Sequence, residues 1–283
     1  MHRIAYLNNQ YIKFDEAKIH IEDRGLQFSD SVYEVVLVIN KQLIDFEFHT
    51  KRLKFSLNEL SINYTVNEKK IQKIFKKLIN YNSIINGIIY FQITRGVQER
   101  EHAFKKNLKP NIISYCQKKK FNLPNKNYRA YKAVTYPDIR WSRKDIKSTS
   151  LLPNILAAHY ANTKGAYEAI FVKDNKVTES SHSNVWIIKN NKFLTHPTNR
   201  NILKGITRSV IKNIIKKENF KIEQKLFSLN KLLNADEVFI TSSGSLITPI
   251  IKVNNKVIGN GKIGKLTKKF AILLYNHYKN QNR

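Results

Sequence analysis

Apolar residues recur along this chain with two periods. Between residues 67 and 80, Ile71, Ile74, Phe75, Leu78 and Ile79 fall at i, i+3, i+4, i+7 and i+8 with lysines interleaved. That spacing predicts an amphipathic helix with a solvated basic back. Residues 49–60 also read as helix. The rest of the first half is strand-like. Residues 5–7 and 10–14 flank Asn8-Asn9, a turn pair that predicts a hairpin. Residues 31–40, 87–96 and 110–116 are rich in β-branched side chains and bounded by turn formers, which predicts three further strands. The run Lys118 to Lys126 is basic and aperiodic, so it is the expected linker.

After it the pattern becomes denser in short strands. Residues 133–141 predict a strand. Ser150 and Pro153 predict a capped helix over 151–163 that ends at Gly165. Strands at 167–172 and 177–178 flank Asp174-Asn175, and strands at 184–188 and 193–196 flank Asn190-Asn191. Gly205 opens a helix with Ile206, Val210, Ile211, Ile214 and Ile215 on one face, and strands follow at 237–241 and 247–253. The expectation is an α+β chain of two domains: a smaller N-terminal α/β domain (1–117), a linker (118–126) and a larger β-rich C-terminal domain (127–283).

Composition narrows the class. A 283-residue chain that is 42% hydrophobic can bury a large core. The single cysteine, Cys116, rules out a disulfide framework or a zinc site of several thiolates, and it fits a reducing compartment. The N-terminal residues do not form a signal peptide, and no apolar run approaches the ~18 residues of a membrane span, so a cytoplasmic protein is expected. The formal charge of +29 suggests nucleic-acid binding at first sight. However, 39 of the 50 basic residues are lysines scattered over polar faces beside abundant Asn and Ile, a bias of composition that names no partner. Neither nucleic acid nor membrane is expected as a partner, although the field would steer anionic ligands inward.

Three features carry candidate chemistry. Lys147 follows the strand expected at 133–141 and precedes a helix, which places an amine at a strand end. Glu179, one of only 21 acids, lies beside the polar turn Ser180-Ser181-His182-Ser183. An amine and a carboxylate so placed suit pyridoxal phosphate, the amine joining its aldehyde and the carboxylate keeping its ring nitrogen protonated. Its phosphate would need amides, hydroxyls and a cation. The helix start Gly205-Ile206-Thr207, the turn Thr241-Ser242-Ser243-Gly244-Ser245 and Arg52 offer them. The glycine-rich run 259–265 lacks the Ser/Thr of a nucleotide phosphate loop, because Leu266 stands there, and it is expected to be a turn before the last helix.

Taken in order, these residues resemble the fold-type IV pyridoxal-phosphate enzymes, and among them the D-amino-acid aminotransferases. The matching segments include Glu22-Asp23-Arg24-Gly25, Ser31 to Val36, Arg52-Leu53, Tyr90 to Gly96, Asp138 to Trp141, Asp145 to Ser148, Val177-Thr178-Glu179, Ser183-Asn184-Val185, Ile202 to Arg208 and Ile247-Thr248-Pro249. The resemblance implies that Lys147 is the Schiff-base lysine and proton shuttle, and that Glu179 partners the pyridine nitrogen. Arg52, Ile206, Thr207 and Ser243 would hold the phosphate. It further implies that Arg100 and His102, supplied by the neighbouring subunit of a homodimer, grip the substrate carboxylate with Tyr33. The activity implied is transfer of an amino group from a D-amino acid to a 2-oxo acid. Branched-chain L-amino-acid or amine transaminases and aminodeoxychorismate-lyase-like enzymes share the cofactor motifs and remain alternatives. Two departures stand out. Phe28-Ser29-Asp30-Ser31 replaces Phe-Gly-Asp-Gly, and His182 replaces a small residue near the expected phosphate site.

Overall fold

The computed structural model describes residues 3–281; Met1, His2, Asn282 and Arg283 lie outside them. The chain forms two compact units. One comprises Met1–Lys120 together with Ile146–Ser150, and the other comprises Phe121–Asp145 together with Leu151–Arg283.

In the first unit the elements run β1 (Ile4–Leu7), β2 (Gln10–Lys13), α1 (Arg24–Phe28), β3 (Ser31–Ile39), β4 (Gln42–Leu43), α2 (Phe46–Glu59), α3 (Glu68–Tyr81), β5 (Gly87–Thr94) and β6 (Ile112–Lys118). The strands make one antiparallel sheet in the order β2-β1-β6-β5-β3-β4. Its core face carries Val32, Val36 and Val38 of β3, which pack with Leu53 and Leu57 of α2 and with Ile71, Ile74, Phe75 and Leu78 of α3. The periodic face of α3 is thus the face that it buries, and the helix starts at Asn67, whose side chain accepts from Lys70 N at 2.9 Å.

The second unit runs β7 (Tyr131–Pro137), α4 (Leu152–Thr163), β8 (Glu168–Lys173), β9 (Lys176–Ser180), β10 (Asn184–Lys189), β11 (Lys192–Thr195), α5 (Ile206–Lys217), β12 (Ile222–Gln224), α6 (Leu229–Leu233), β13 (Glu237–Ser242), β14 (Leu246–Val253), β15 (Lys256–Val257) and α7 (Lys265–Asn280). Nine strands share one mixed sheet in the order β12-β11-β10-β13-β14-β7-β8-β9, with β15 on β14. The tight hairpin turns here share one backbone geometry: Asp174 and Asn175, and likewise Asn190 and Asn191, take positive φ at the hairpins they close.

The two-domain α+β expectation holds, with local corrections. Strand β7 stops at Pro137, not at Trp141. Past that point Ile139 and Trp141 are 58% and 40% exposed, so the sheet does not cover them. Ser150 does not cap α4; its N-cap is Leu151, with no side-chain cap bond. Glu179 lies inside β9, not after it. Helix α1 is five residues long, too short to show a period, and it is started by Asp23, whose carboxylate accepts from Gly25 N at 2.8 Å. No helix among the described residues is long and apolar enough to cross a membrane.

Candidate active site

Within the first unit, Lys147 is fixed by the edge of β3. Strand β4 covers only Val38 and Ile39 of β3, so the edge at Val32 and Tyr33 is open to another extended segment. Residues 146–150 take it. Tyr33 N donates to Lys147 O at 3.0 Å, Thr149 N donates to Ser31 O at 3.1 Å, and Ser148 forms a bridge with Val32. Lys147 N donates to Ser56 Oγ on α2 at 3.1 Å. The backbone on both sides of the amine is therefore pinned. Its ammonium lies 4.2 Å from the centre of the Tyr33 ring, and no ion pair to it forms among the described residues.

Alternation along β3 puts Tyr33 on one face and Glu34 on the other, apolar face. A carboxylate there needs partners. Glu34 receives Arg52 Nε at 2.8 Å and Arg52 Nη2 at 2.7 Å, and His49 Nδ1 lies 2.6 Å away. Burial alone would raise the Glu34 carboxyl, but Arg52 and then His49 outweigh it and hold it down to about 2. Burial lowers His49 despite Glu34. Arg52 is thus a cation in a fixed orientation. Glu34 and His49 were missed in the sequence, although His49 and Arg52 stand at i, i+3 on a helix.

The sign of the Glu34 shift fixes a pH dependence. Its folded value lies below its ordinary 4.5, so its contribution to stability is complete above about 4.5 and is lost as pH falls toward about 2. Asp138, held from 3.8 down to about 2, acts in the same window. Thermal melts should therefore show an acid decline across that range, and Glu34→Gln should flatten part of it.

Arg100 and His102 lie on the exposed connection between β5 and β6. Both side chains pack on Phe28. The Arg100 guanidinium is 4.7 Å from the ring centre and the His102 ring 5.5 Å from it. Of the two Phe-Gly-Asp-Gly departures, Ser29 takes φ 55 at the end of α1, the conformation glycine favours. Ser31 is fully buried and bonded to Thr149 Oγ1 at 2.6 Å and Gln92 Nε2 at 2.9 Å, so the second serine is built into the sheet.

In the second unit, Glu179 is 5% exposed and surrounded by donors. Arg140 Nη1 bonds Oε1, Asn184 Nδ2 bonds Oε2 at 3.1 Å, and Leu203 N is shared between both oxygens at 3.3 and 3.1 Å. Behind Arg140 lies Asp138, which takes Arg140 Nε and Nη2 at 2.9 and 2.8 Å, Thr178 Oγ1 at 2.7 Å and Lys144 Nζ at 3.2 Å. Two carboxylates thus face two cations in a buried cluster. For Glu179, burial still outweighs Arg140 and raises the carboxyl. Asp138, Arg140, Lys144 and Asn184 had no role assigned from sequence; the i, i+2 spacing of Asp138 and Arg140 on extended chain is the signal that one side of that segment is polar.

Asn184 joins this cluster to α5. Its Nδ2 also donates to Leu203 O at 2.9 Å, and a Cβ on Gly205 would lie 2.1 Å from its Oδ1. Only glycine fits there, and glycine offers no side-chain cap to α5. The amides of Ile206 and Thr207 thus open the helix with their dipole uncapped by a side chain. Ser243 lies in the turn between β13 and β14. The nearby hydroxyls are occupied, Thr241 Oγ1 accepting from Trp186 Nε1 at 3.1 Å and Ser242 Oγ bonding Ser245 Oγ at 2.7 Å. The Ser243 hydroxyl bonds no other described residue. His182, expected beside the phosphate, directs its Nδ1 to the fully buried Glu168 at 2.8 Å.

A buried carboxylate linked through Asn184 to a glycine-opened helix start, with a turn hydroxyl in the same unit, fits a phosphorylated pyridine.

This chain belongs to the class IV aminotransferases, whose family model matches residues 31–253. It is 39% identical over 265 residues to a D-alanine aminotransferase of Staphylococcus aureus, covering 93% of each chain. Its fold matches the branched-chain amino acid aminotransferase of Escherichia coli with a TM-score of 0.88 at 20% identity, covering 98% of this chain and 95% of that one. It also matches a T.th. branched-chain amino acid aminotransferase complexed with N-(5'-phosphopyridoxyl)-L-glutamate, with a TM-score of 0.85 at 18% identity over 99% and 95%.

Proposed function

We propose that this class IV aminotransferase is a pyridoxal-phosphate-dependent D-amino-acid transaminase of the D-alanine type that delivers the amino group to a 2-oxo acid such as 2-oxoglutarate. Similarity along 93% of the chain to D-alanine aminotransferases carries the substrate class. The Arg100-x-His102 pair supports it, because an arginine fork suits a carboxylate.

Bound pyridoxal phosphate supplies the electron sink that makes loss of the substrate Cα proton feasible. The residues then divide the work. Lys147 Nζ holds the cofactor aldehyde at rest. With its backbone pinned, the Lys147 amine would accept the substrate Cα proton and hand it back from a fixed point. Glu179, oriented by Arg140, would keep a proton on the ring nitrogen. Ile206 and Thr207 amides, the Thr207 and Ser243 hydroxyls and the Arg52 cation would hold the phosphate. Tyr33 with Arg100 and His102 of a second copy would take the substrate carboxylate.

A homodimer follows from that sharing. It is supported by the apolar face of α4, where Leu152, Ile155 and Leu156 are 67%, 60% and 47% exposed. A reducing, cytoplasmic setting suits the lone buried Cys116. Assay with 2-oxoglutarate tests the substrate class. D-alanine should be consumed with pyruvate released, and L-leucine should give less than about a hundredth of that rate, the scale of one charge-assisted contact misplaced. Turnover of L-leucine alone would end the D-amino-acid reading.

A further inference from the structure

We propose that Arg24 is the positioning residue of the carboxylate-binding loop, fixing where Arg100 and His102 point; this rests on the role given to those two residues above. The loop between β5 and β6 is mostly exposed and has little regular structure around them, so something must hold it. Arg24 is 4% exposed and uses all three guanidinium nitrogens. Nη1 donates to Glu101 O at 2.6 Å, Nη2 to His102 O at 3.0 Å, and Nε to Asp30 Oδ2 at 2.9 Å. Both carbonyls that follow Arg100 are thereby held by one rigid fork.

The fork has a firm base. Asp30 is also gripped by Arg95, Nε to Oδ2 at 2.7 Å and Nη2 to Oδ1 at 2.9 Å, and Arg95 in turn donates to Leu60 O and Ser61 O. Arg24 N donates to Gly96 O at 2.9 Å, which ties α1 to the start of the loop. Gln98 braces its middle, donating to Ala103 O at 2.8 Å and accepting from Lys105 N at 2.9 Å. Four residues after Arg24 on the same helix face, Phe28 presents the ring against which Arg24, Arg100 and His102 all pack. Glu101 and His102 are exposed, so water can replace the fork at their carbonyls. Losing the fork should therefore cost position more than fold. A lysine could keep the charge on Asp30 but cannot reach both carbonyls.

The test compares Arg24→Gln, Arg24→Lys and Arg100→Met in the cofactor-loaded enzyme, with D-alanine kinetics, cofactor affinity and amide exchange over residues 100–103. Arg24→Gln should raise the KM for D-alanine about tenfold to a hundredfold, the scale of a charge-assisted hydrogen bond lost from the substrate. It should leave kcat within about threefold and cofactor affinity unchanged, because the Arg24 side chain bonds Asp30, Glu101 O and His102 O and not Lys147 or Arg52. Exchange at 101–103 should quicken, and Arg24→Lys should fall between wild type and Arg24→Gln. Unchanged KM and exchange in Arg24→Gln, with Arg100→Met impaired, overturns the proposal. So does equal loss of kcat, KM and cofactor affinity, which marks a general structural role. An unchanged KM in Arg100→Met overturns the carboxylate reading beneath it, whatever Arg24→Gln shows.

Discussion

Lys147→Ala should bind pyridoxal phosphate only as the free aldehyde, without the band of a lysine-bound cofactor, and retain about 10⁻⁴ of the wild-type kcat/KM, the top of the range for loss of a positioned acid–base group. The expectation is specific to this lysine. Lys144, three residues earlier, also has an amine, but its side chain is only 4% exposed and its Nζ is spent on Asp138 at 3.2 Å. Lys147 carries no such pair; its ammonium rests over the Tyr33 ring, and the bonds from Tyr33 N and to Ser56 Oγ hold its backbone on both sides. Lys144→Met should therefore keep the visible band that Lys147→Ala loses. Absorbance of the two purified variants, followed by D-alanine turnover, checks both halves. An active Lys147→Ala that keeps the lysine-aldimine band would assign the chemistry to another amine.

Glu179→Gln should lower kcat about 10²–10³-fold while changing the KM for D-alanine little, the loss expected when a fixed charge is removed from the place where charge develops. Asp138 and Glu179 face Arg140 and Lys144 in balance, and glutamine leaves the cations one charge in excess. It also offers one acceptor oxygen where Arg140, Leu203 and Asn184 now use two. Burial already pushes the Glu179 carboxyl up, so a protonated ring nitrogen would favour its charged form. Without the carboxylate the nitrogen would lose that support for its proton. Colour should persist, because Lys147 is untouched. A Glu179→Gln enzyme with wild-type kcat would contradict this role.

The periodic parts of the fold were legible in the chain. Helix α3 follows from spacing, strands β3 and β5 from β-branched runs between turn formers, and the hairpins from the Asn-containing pairs that close them. Short elements were not: α1 has five residues, and its capping by Asp23 depends on a carboxylate that also bonds Thr94 and Asn111, 71 and 88 residues away. The same holds at the site. Lys147 and Glu179 stood out by chemistry, and Ile206 and Thr207 by a glycine-opened helix. Asp138, Lys144 and Glu34 did not, because their importance lies in the ion pairs and hydrogen bonds, such as Thr178 to Asp138 and Arg52 to Glu34, that make burial of charge tolerable. Residue type alone could not separate Lys144 from Lys147; the β3 edge that holds one and the carboxylate that occupies the other could.

The most direct measurement is the visible spectrum of the purified protein as D-alanine is added without an acceptor. Wild type should show the band of a lysine-bound pyridoxal phosphate, lose it on D-alanine, and regain it on 2-oxoglutarate. A colourless protein, or a band unchanged by D-alanine and bleached by L-leucine, would contradict the account.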